Sequence, residues 1–572
     1  MNISLLYNVF LGETSPLVAA RIDTPAQEMG ARRMENLIPM MTGGMRKRPG
    51  TWYHGNTESN KTARLIDWLL SDGISIILEI TAGMIQVRRG SDYQVTQQIA
   101  NTYTAAQLPN LQYAASANNL WIVHQDQRPL KLAWNGSAVV NSLPTFTGKD
   151  FTAENERPGA VAFDAGRLCF AGTKNEPNRI FMSRAPDSMT GSNRYTDFSA
   201  GDNPADAIIL EENDMHGSRI QWIAAGKHFL AATERTTWND TGDVPTPATF
   251  DMNIIEYAGS CELQARGTKD TMVYVGRSGR TLRALVWNEN TQRSGYIDTD
   301  ISERAAHFFG AGIKDYAVAD YPYPTIWIVT NAGELISCTI NIRAGVLAYA
   351  RHPTDGEVEA VAVAAQKPGD DILFVIKRGE KRNVEHLTLE DLVNEDYTES
   401  HYIDAGEKRT YNEPTKIITG LQRFAGKTIR IFADGAIEPP ITVDSEGTAE
   451  IQNAVTKVHL GLPYRAAFSP NERRIPANGT SMGKKQRIEK ITLKLYKSLK
   501  GRAGTTEEKS AELITQRFGS YVLGTAPEPF TGEIELMVSG KIDTEGELVV
   551  THDEPVPFTL LALVERVAIM EA

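Results

Sequence analysis

Cysteine is scarce in this 572-residue chain: there are three, Cys169, Cys261 and Cys338, far apart and without a CxxC pair. That spacing excludes a disulfide framework and a thiolate metal site, and reads the three as small buried apolar residues of a reducing compartment. No apolar run approaches the roughly 20 residues that cross a bilayer, so no membrane-spanning segment is expected. Residues 1–7 have neither a basic start nor a long apolar core, which argues against a secretory signal. Catalytic grammar is missing as well. There is no HExxH, GxSxG or P-loop, and no GxGxxG after a strand. The ten histidines are dispersed, none at metal-ligand spacing. Adjacent acids such as Glu211-Glu212 and Asp370-Asp371 point to opposite faces of a strand, so only a carboxylate pair assembled by folding could do glycosidase work. The expectation is a chain with no catalytic residue, cofactor or metal.

What is present is ample core material. Hydrophobic residues make up 41% and charged residues 23%, the balance of a soluble, folded chain of two to four domains. The net charge of −12 is uneven: residues 63–405 carry 30 Lys and Arg against 44 Asp and Glu, a balance of −14. Residues 1–62 stand at +2 and residues 406–572 at zero. A protein that grips nucleic acid needs a basic surface, so this one could face DNA without holding it; ordinary solubility would produce the same number.

From residue 63 the chain reads as short strands between turns. Apolar stretches at 74–80, 120–124, 167–171, 229–232, 272–275, 326–329 and 372–376 are mostly bounded by Gly, Asn, Asp or Pro. Several are followed by a second strand after a tight turn, as at 84–88 after Ala82-Gly83 and 334–340 after 331–333, which is hairpin chemistry. Seven units of about four strands would make a β-propeller, with two stacked β-sandwiches as the competing architecture. The fold class expected is therefore all-β: a propeller-like domain over 63–405, an N-terminal arm over 1–62, a small β module over 406–465 and a C-terminal β platform over 466–572. Trp121, Trp222, Trp287 and Trp327 lie in or beside strand cores and read as packing between blades; a sugar platform would need them exposed beside carboxylates. Within the arm, 26–37 is a short helix candidate weakened by Gly30, and 501–509 reads as a loop.

Two basic stretches stand out. In the first, 35–52, Arg46, Lys47 and Arg48 lie between a Gly43-Gly44 turn and a Pro49-Gly50 turn, followed by Trp52. The triplet reads as displayed on a short ribbon, or as a plain solvated loop. The second, 484–500, alternates Ile491, Leu493 and Leu495 against Thr492, Lys494 and Tyr496, a strand with one apolar face. Lys484, Lys485, Arg487 and Lys494 around it suit an acidic partner surface or DNA; the alternative is an edge strand guarded by lysines.

The run Glu35-Asn36-Leu37-Ile38-Pro39 with Gly43-Gly44-Met45-Arg46-Lys47-Arg48-Pro49-Gly50-Thr51 resembles the N-terminal signature of the tail nozzle and tail-stabilisation proteins of short-tailed bacteriophages, the tail tubular protein B-like family. Further similarity follows in order. It includes 167–172 with Pro177 and Ser183, 206–209, 220–222, 321–327 with 333–335, 351–356, 419–421 with 433–435, and 461–464. Lys47 stands where the family pattern has Arg, and Thr42 where a Gln often precedes the glycines.

The resemblance implies a structural virion protein, assembled in the host cytoplasm and located in the virion tail. It would form a homohexameric ring below the head-to-tail adaptor, contact tail fibre or tailspike proteins, and enclose a channel that retains and then conducts the genome without binding it specifically. Arg46, Lys47, Arg48, Pro49, Trp52, Lys484, Lys485, Arg487 and Lys494 are the expected assembly contacts, the basic triplet as a clasp on a carboxylate of a neighbouring subunit or adaptor. The rival is a virion propeller that binds or cleaves glycans. A cellular adhesion propeller would require a secretion signal.

Overall fold

Each of the seven apolar runs is the second strand of an antiparallel unit, five of them separate four-stranded sheets and two parts of longer sheets. These strands are Ser75–Thr81, Asn119–His124, Arg167–Ala171, Phe229–Thr233, Thr271–Val275, Thr325–Thr330 and Asp370–Arg378. They read as unbroken apolar runs because both faces are covered by the sheets on either side. For five of the seven neighbouring pairs the first strands of successive sheets pack against one another, which sets the sheets radially around an axis as seven blades. The computed structural model describes residues 2–7 (backbone), 11–18, 29–90, 92–211, 217–240, 244–268, 271–289, 295–366, 369–471, 484–516, 526–538, 540, 542, 544 and 547–569.

The ring closes through the arm. Blade 7 has three strands of its own, Glu357–Ala365, Asp370–Arg378 and Lys381–Thr388, and takes Trp52–Asn56 as its fourth. The chain then runs straight into Ala63–Leu69, the first strand of blade 1. Tyr93 Oη donates to Asp371 across that joint at 2.7 Å, and Ala63, Leu65, Ile77, Leu373 and Val375 fill it. The expected boundary at 63 is therefore too late: residues 52–56 belong to the propeller.

Blades 6 and 7 also carry the flanking β-structure. The outer strand of blade 6, Val346–Arg351, meets Gly12–Glu13 and Gly30–Glu35, and the sheet continues through Ala466–Pro470, Val549–His552, Arg502–Gly504 and Ser510–Glu512. Beyond Trp52–Asn56 the sheet of blade 7 continues into a small module of Asp404–Ile418, Ala449–Leu462, Thr428–Ala433 and Ala436–Thr442. A third sheet combines Leu37–Pro39, Met45–Lys47, Thr559–Ile569, Gln486–Ser498 and Phe530–Met537, with Asn2–Tyr7 also paired to Thr559–Ile569. The platform thus draws on chain segments from both ends.

Several expectations change. Gly30–Glu35 is a strand, since Ala31, Arg33, Met34 and Glu35 pair with Ala466–Pro470; residues 26–28 of the helix candidate lie outside the described residues. The loop over 501–509 contains the strand Arg502–Gly504, pinned between two neighbours. Gln486–Ser498 has Ile491, Leu493 and Leu495 buried as expected, but it lies between two strands and is no edge. Cys169 and Cys338 are buried and Cys261 is half-buried, all as free thiols.

Gly43 and Gly44, at φ +91° and +76°, turn the chain between Leu37–Pro39 and Met45–Lys47. Gly50 does something else. No reversal occurs there; its N–H donates to the His401 carbonyl at 2.7 Å, and a β-carbon would lie 2.1 Å from the Ile403 oxygen. The glycine serves close backbone approach. We expect Gly50→Ala to cost ~2–3 kcal/mol in denaturant unfolding, the upper range for overpacking. Gly310→Ala, with open space around it, leaves stability unchanged. Equal effects of the two substitutions would contradict this packing.

Candidate functional site: a buried clasp between propeller and platform

Arg48 is buried at 2% exposure, and Asp404, also buried at 1%, takes its guanidinium end-on through two 2.7 Å bonds. Arg48 Nε donates to Asn36 Oδ1 at 2.7 Å, and its guanidinium lies 4.0 Å over the Tyr464 ring. Tyr464 Oη donates to the Arg48 carbonyl, and Thr354 Oγ1 donates to Asp404 Oδ2 at 2.8 Å. Asn36 Nδ2 donates to the carbonyls of Pro353 and Arg465. Burial alone would lower the Arg48 pKa and raise that of Asp404. Each partner's charge outweighs this, so Arg48 is raised and Asp404 lowered. Five chain segments meet at one ion pair.

Lys47, the preceding residue, is wholly buried. Its Nζ donates to the Glu554 carbonyl at 2.6 Å and to His552 Nδ1 at 3.3 Å, and lies 4.5 Å from the Tyr464 ring centroid. No carboxylate oxygen accepts from it among the described residues. Burial, with Arg48 beside it, lowers its pKa to about 7. Thr51 ties the clasp to blade 7: its Oγ1 donates to Glu385 Oε2 at 2.5 Å and accepts from the Ala405 N–H at 2.8 Å. Glu385 in turn receives Arg378 Nε and Nη2 at 2.8 and 2.9 Å. Trp52 is half-buried, its ring stacked on His401 with centroids 3.8 Å apart.

The basic triplet is thus not displayed. Lys47, Arg48 and Pro49 are buried and cannot meet a neighbouring subunit, because the carboxylate that claims Arg48 is Asp404 of the same chain. Arg46 remains half-buried, with Nε donating to Thr559 Oγ1 at 3.1 Å, and lines a cleft of about 260 Å³ with Asp391, Tyr402, Tyr496 and Lys497. The second basic group keeps its surface position. Lys485, Arg487 and Lys494 are exposed and Lys484 half-buried, with Arg487 3.4 Å from Glu489. Asp404, Thr51, Glu385 and the histidines around Trp52 carry no sequence signal, since each acquires its role from a distant partner.

The propeller axis is filled. Gln112 of blade 2 reaches the Gln221 carbonyl of blade 4 at 2.6 Å, the Gln264 side-chain amide accepts from the Tyr113 N–H and donates to the Tyr113 carbonyl, and Arg64 of blade 1 lies 3.6 Å from Asp315 of blade 6. Arg266 covers the Tyr113 ring at 4.5 Å and Tyr113 Oη donates to Asp67. Trp121, Trp222 and Trp327 are completely buried, as expected of packing residues, and Trp287 is half-buried against His228 and Tyr296. None of the eight tryptophans is exposed. Among the described residues no His, Cys, Asp or Glu group is placed to hold a metal. Asp371 accepts from Tyr93 and Asp370 from the backbone N–H groups of Asp320 and Tyr321, so both acids serve structure.

No protein-family model and no curated protein sequence matches the chain. Among solved structures it resembles the WD40 domain of Neurospora crassa Pan2, at 10% identity over 60% of this chain and 95% of that one, TM-score 0.36. It also resembles the β-propeller domain of Myceliophteria_thermophila Cps50 (Swd1), at 10% identity over 58% and 98%, TM-score 0.38. The propeller assignment rests on the seven sheets themselves, and nothing about function follows from these likenesses. For the clasp, we expect Arg48→Ala or Asp404→Ala to lower unfolding free energy by about 3–5 kcal/mol, because each strands a buried charge. Arg48→Lys recovers only part, having no fork. Breaking the exposed Lys227–Glu289 pair should leave stability unchanged. Similar losses at both places would overturn the clasp.

Proposed function

We propose that this chain is a structural, non-catalytic subunit of a closed homo-oligomeric ring, the tail nozzle of a short-tailed bacteriophage. The observation that carries the reading is the meeting of its sequence matches in space. Asn36 from the first match bonds Arg48 and Pro353, Tyr464 bonds Arg48 from 416 residues away, and Thr354 shares Asp404 with Arg48. A second group converges likewise. Arg167 donates to the carbonyls of Ser183 and Asp206 at 2.8 and 2.6 Å, and the Leu168 N–H donates to Ser183 Oγ. Stretches scattered along the chain are what the resemblance rests on, and these residues hold the architecture.

The filled propeller axis has a consequence for the channel. A genome conduit would run between copies rather than through one propeller, with the −14 balance of residues 63–405 offering DNA few phosphate contacts. Subunits of such a ring meet through heterologous surfaces that close by rotation. Arg46, Lys484, Lys485, Arg487 and Lys494 stand as the candidate contacts to the neighbouring copy, the adaptor or the fibre. Electron micrographs of purified protein should show rotationally symmetric rings, with a solution mass that is a whole multiple, sixfold on the resemblance, of 63.0 kDa. A monomer that stays monomeric with tail extracts present, or that cleaves polysaccharide, would refute the reading.

A further inference from the structure

Six of the ten histidines, His54, His352, His386, His401, His459 and His552, gather along the seam between propeller and platform. All but half-buried His54 are buried. Sheet continuity is thinnest at the same place. Trp52–Asn56 joins Asp404–Ile418 through one parallel pair, Gly406 with Trp52. Val346–Arg351 joins the arm through Gly12 with Tyr349 and Glu35 with Arg351. The two bodies meanwhile have their own main cores, Trp68, Trp121, Trp222 and their neighbours within the blades and Phe468, Leu493 and Leu563 within the platform, with Ile38 reaching into the core of blades 6 and 7 and Ala350 into that of the platform. We propose that this seam is an acid-released joint, at which protonation of the imidazoles parts propeller from platform while each keeps its core.

Geometry leaves no room for the added protons. His552 donates Nε2–H to the Leu499 carbonyl at 2.9 Å, so its Nδ1 is the acceptor for Lys47. Protonating Nδ1 removes that acceptor and sets a cation against an ammonium. His54 Nε2 bonds His386 Nδ1, a contact in which only one ring can donate. His401 and His459 face each other through Nδ1 atoms 3.4 Å apart, with Trp52 stacked on His401. His352, bonded to Ser337 Oγ at 2.7 Å, lies in the field of Arg48.

Other charged groups face these rings. Arg88, paired with Glu79, and Asp92 lie near His54, as does Tyr93, which caps Asp371. Lys408, Lys457 and the Glu399 that pairs with both surround His459, and Asp391 accepts the His401 N–H. Asp404 faces His352, and Arg430, paired with Glu554, faces His552.

Burial depresses His54 and His386 to about 3 and His459 to about 4, and takes His352, His401 and His552 well below 6.5. A base depressed in the fold contributes stability that is complete above its unfolded value, near 6.5, and is lost as pH falls toward the folded value. The seam therefore weakens between about pH 6.5 and 4. Asp391, raised by burial to about 7, and Asp371, also raised, act in the opposite direction against six imidazoles. For the blade acids the sign reverses: burial raises Asp164, Asp240, Asp298, Asp370 and Asp371, so mild acid favours their folded state, while His124 of blade 2, lowered by burial, acts the other way.

Hydrogen exchange of the full chain, read by mass spectrometry and normalised for intrinsic rates, tests this. At pH 5 against pH 7.5, amides in 46–56, 401–406 and 455–462 should exchange about tenfold faster or more, while the second strands of blades 2–4 keep their protection. His401→Gln with His459→Gln should move the seam midpoint down by about half a pH unit; His228→Gln, away from the seam, should not. Seam and blades losing protection together, or a seam protected down to pH 4, would overturn the proposal, and the wild-type profile decides even if the double variant fails to fold.

Discussion

The Arg48–Asp404 pair is the constraint on which the rest of the chain depends. Two opposite charges, both out of water, are stable only when both are present and their remaining hydrogen-bonding atoms are satisfied. Asn36, Thr354 and the Pro49 carbonyl supply that satisfaction, and each comes from a different part of the fold. Fixing Arg48 fixes the direction of Trp52–Asn56, which completes blade 7 and so closes the ring. Fixing Asp404 sets where the chain leaves the propeller for the module. Closure and docking share one joint.

The propeller was legible because each blade's second strand is buried on both faces and writes a continuous apolar run. Outer strands were not. Val139–Ser142 buries only its first residue and leaves no period to read. The last strand of blade 7 was illegible for a different reason: Trp52–Asn56 has five half-buried residues and pairs with a strand some 330 positions later. The basic triplet marks the limit most clearly. Its turn at Gly43-Gly44 could be read, yet three adjacent cations look solvated until a carboxylate 356 residues away is known to meet Arg48. Lys47 is harder still, since a carbonyl and an imidazole hold it.

The propeller axis is filled, the blade region is acidic and the platform draws on chain segments from both ends. Lys47, Asp391 and the six histidines are perturbed in the seam, where perturbation reflects packing between bodies, and Asp391 also lines the cleft beside Arg46. In a ring, the neighbouring copy would meet surfaces other than the triplet, and the internal clasp would decide how each subunit holds its own shape.

The most direct measurement is a double-mutant cycle between Arg48 and Asp404, read by unfolding at two protein concentrations about a hundredfold apart. An internal clasp predicts a coupling above about 1.5 kcal/mol, unchanged between the two concentrations. A coupling near zero, or one that appears only where copies associate, would place the pair between subunits and contradict the account.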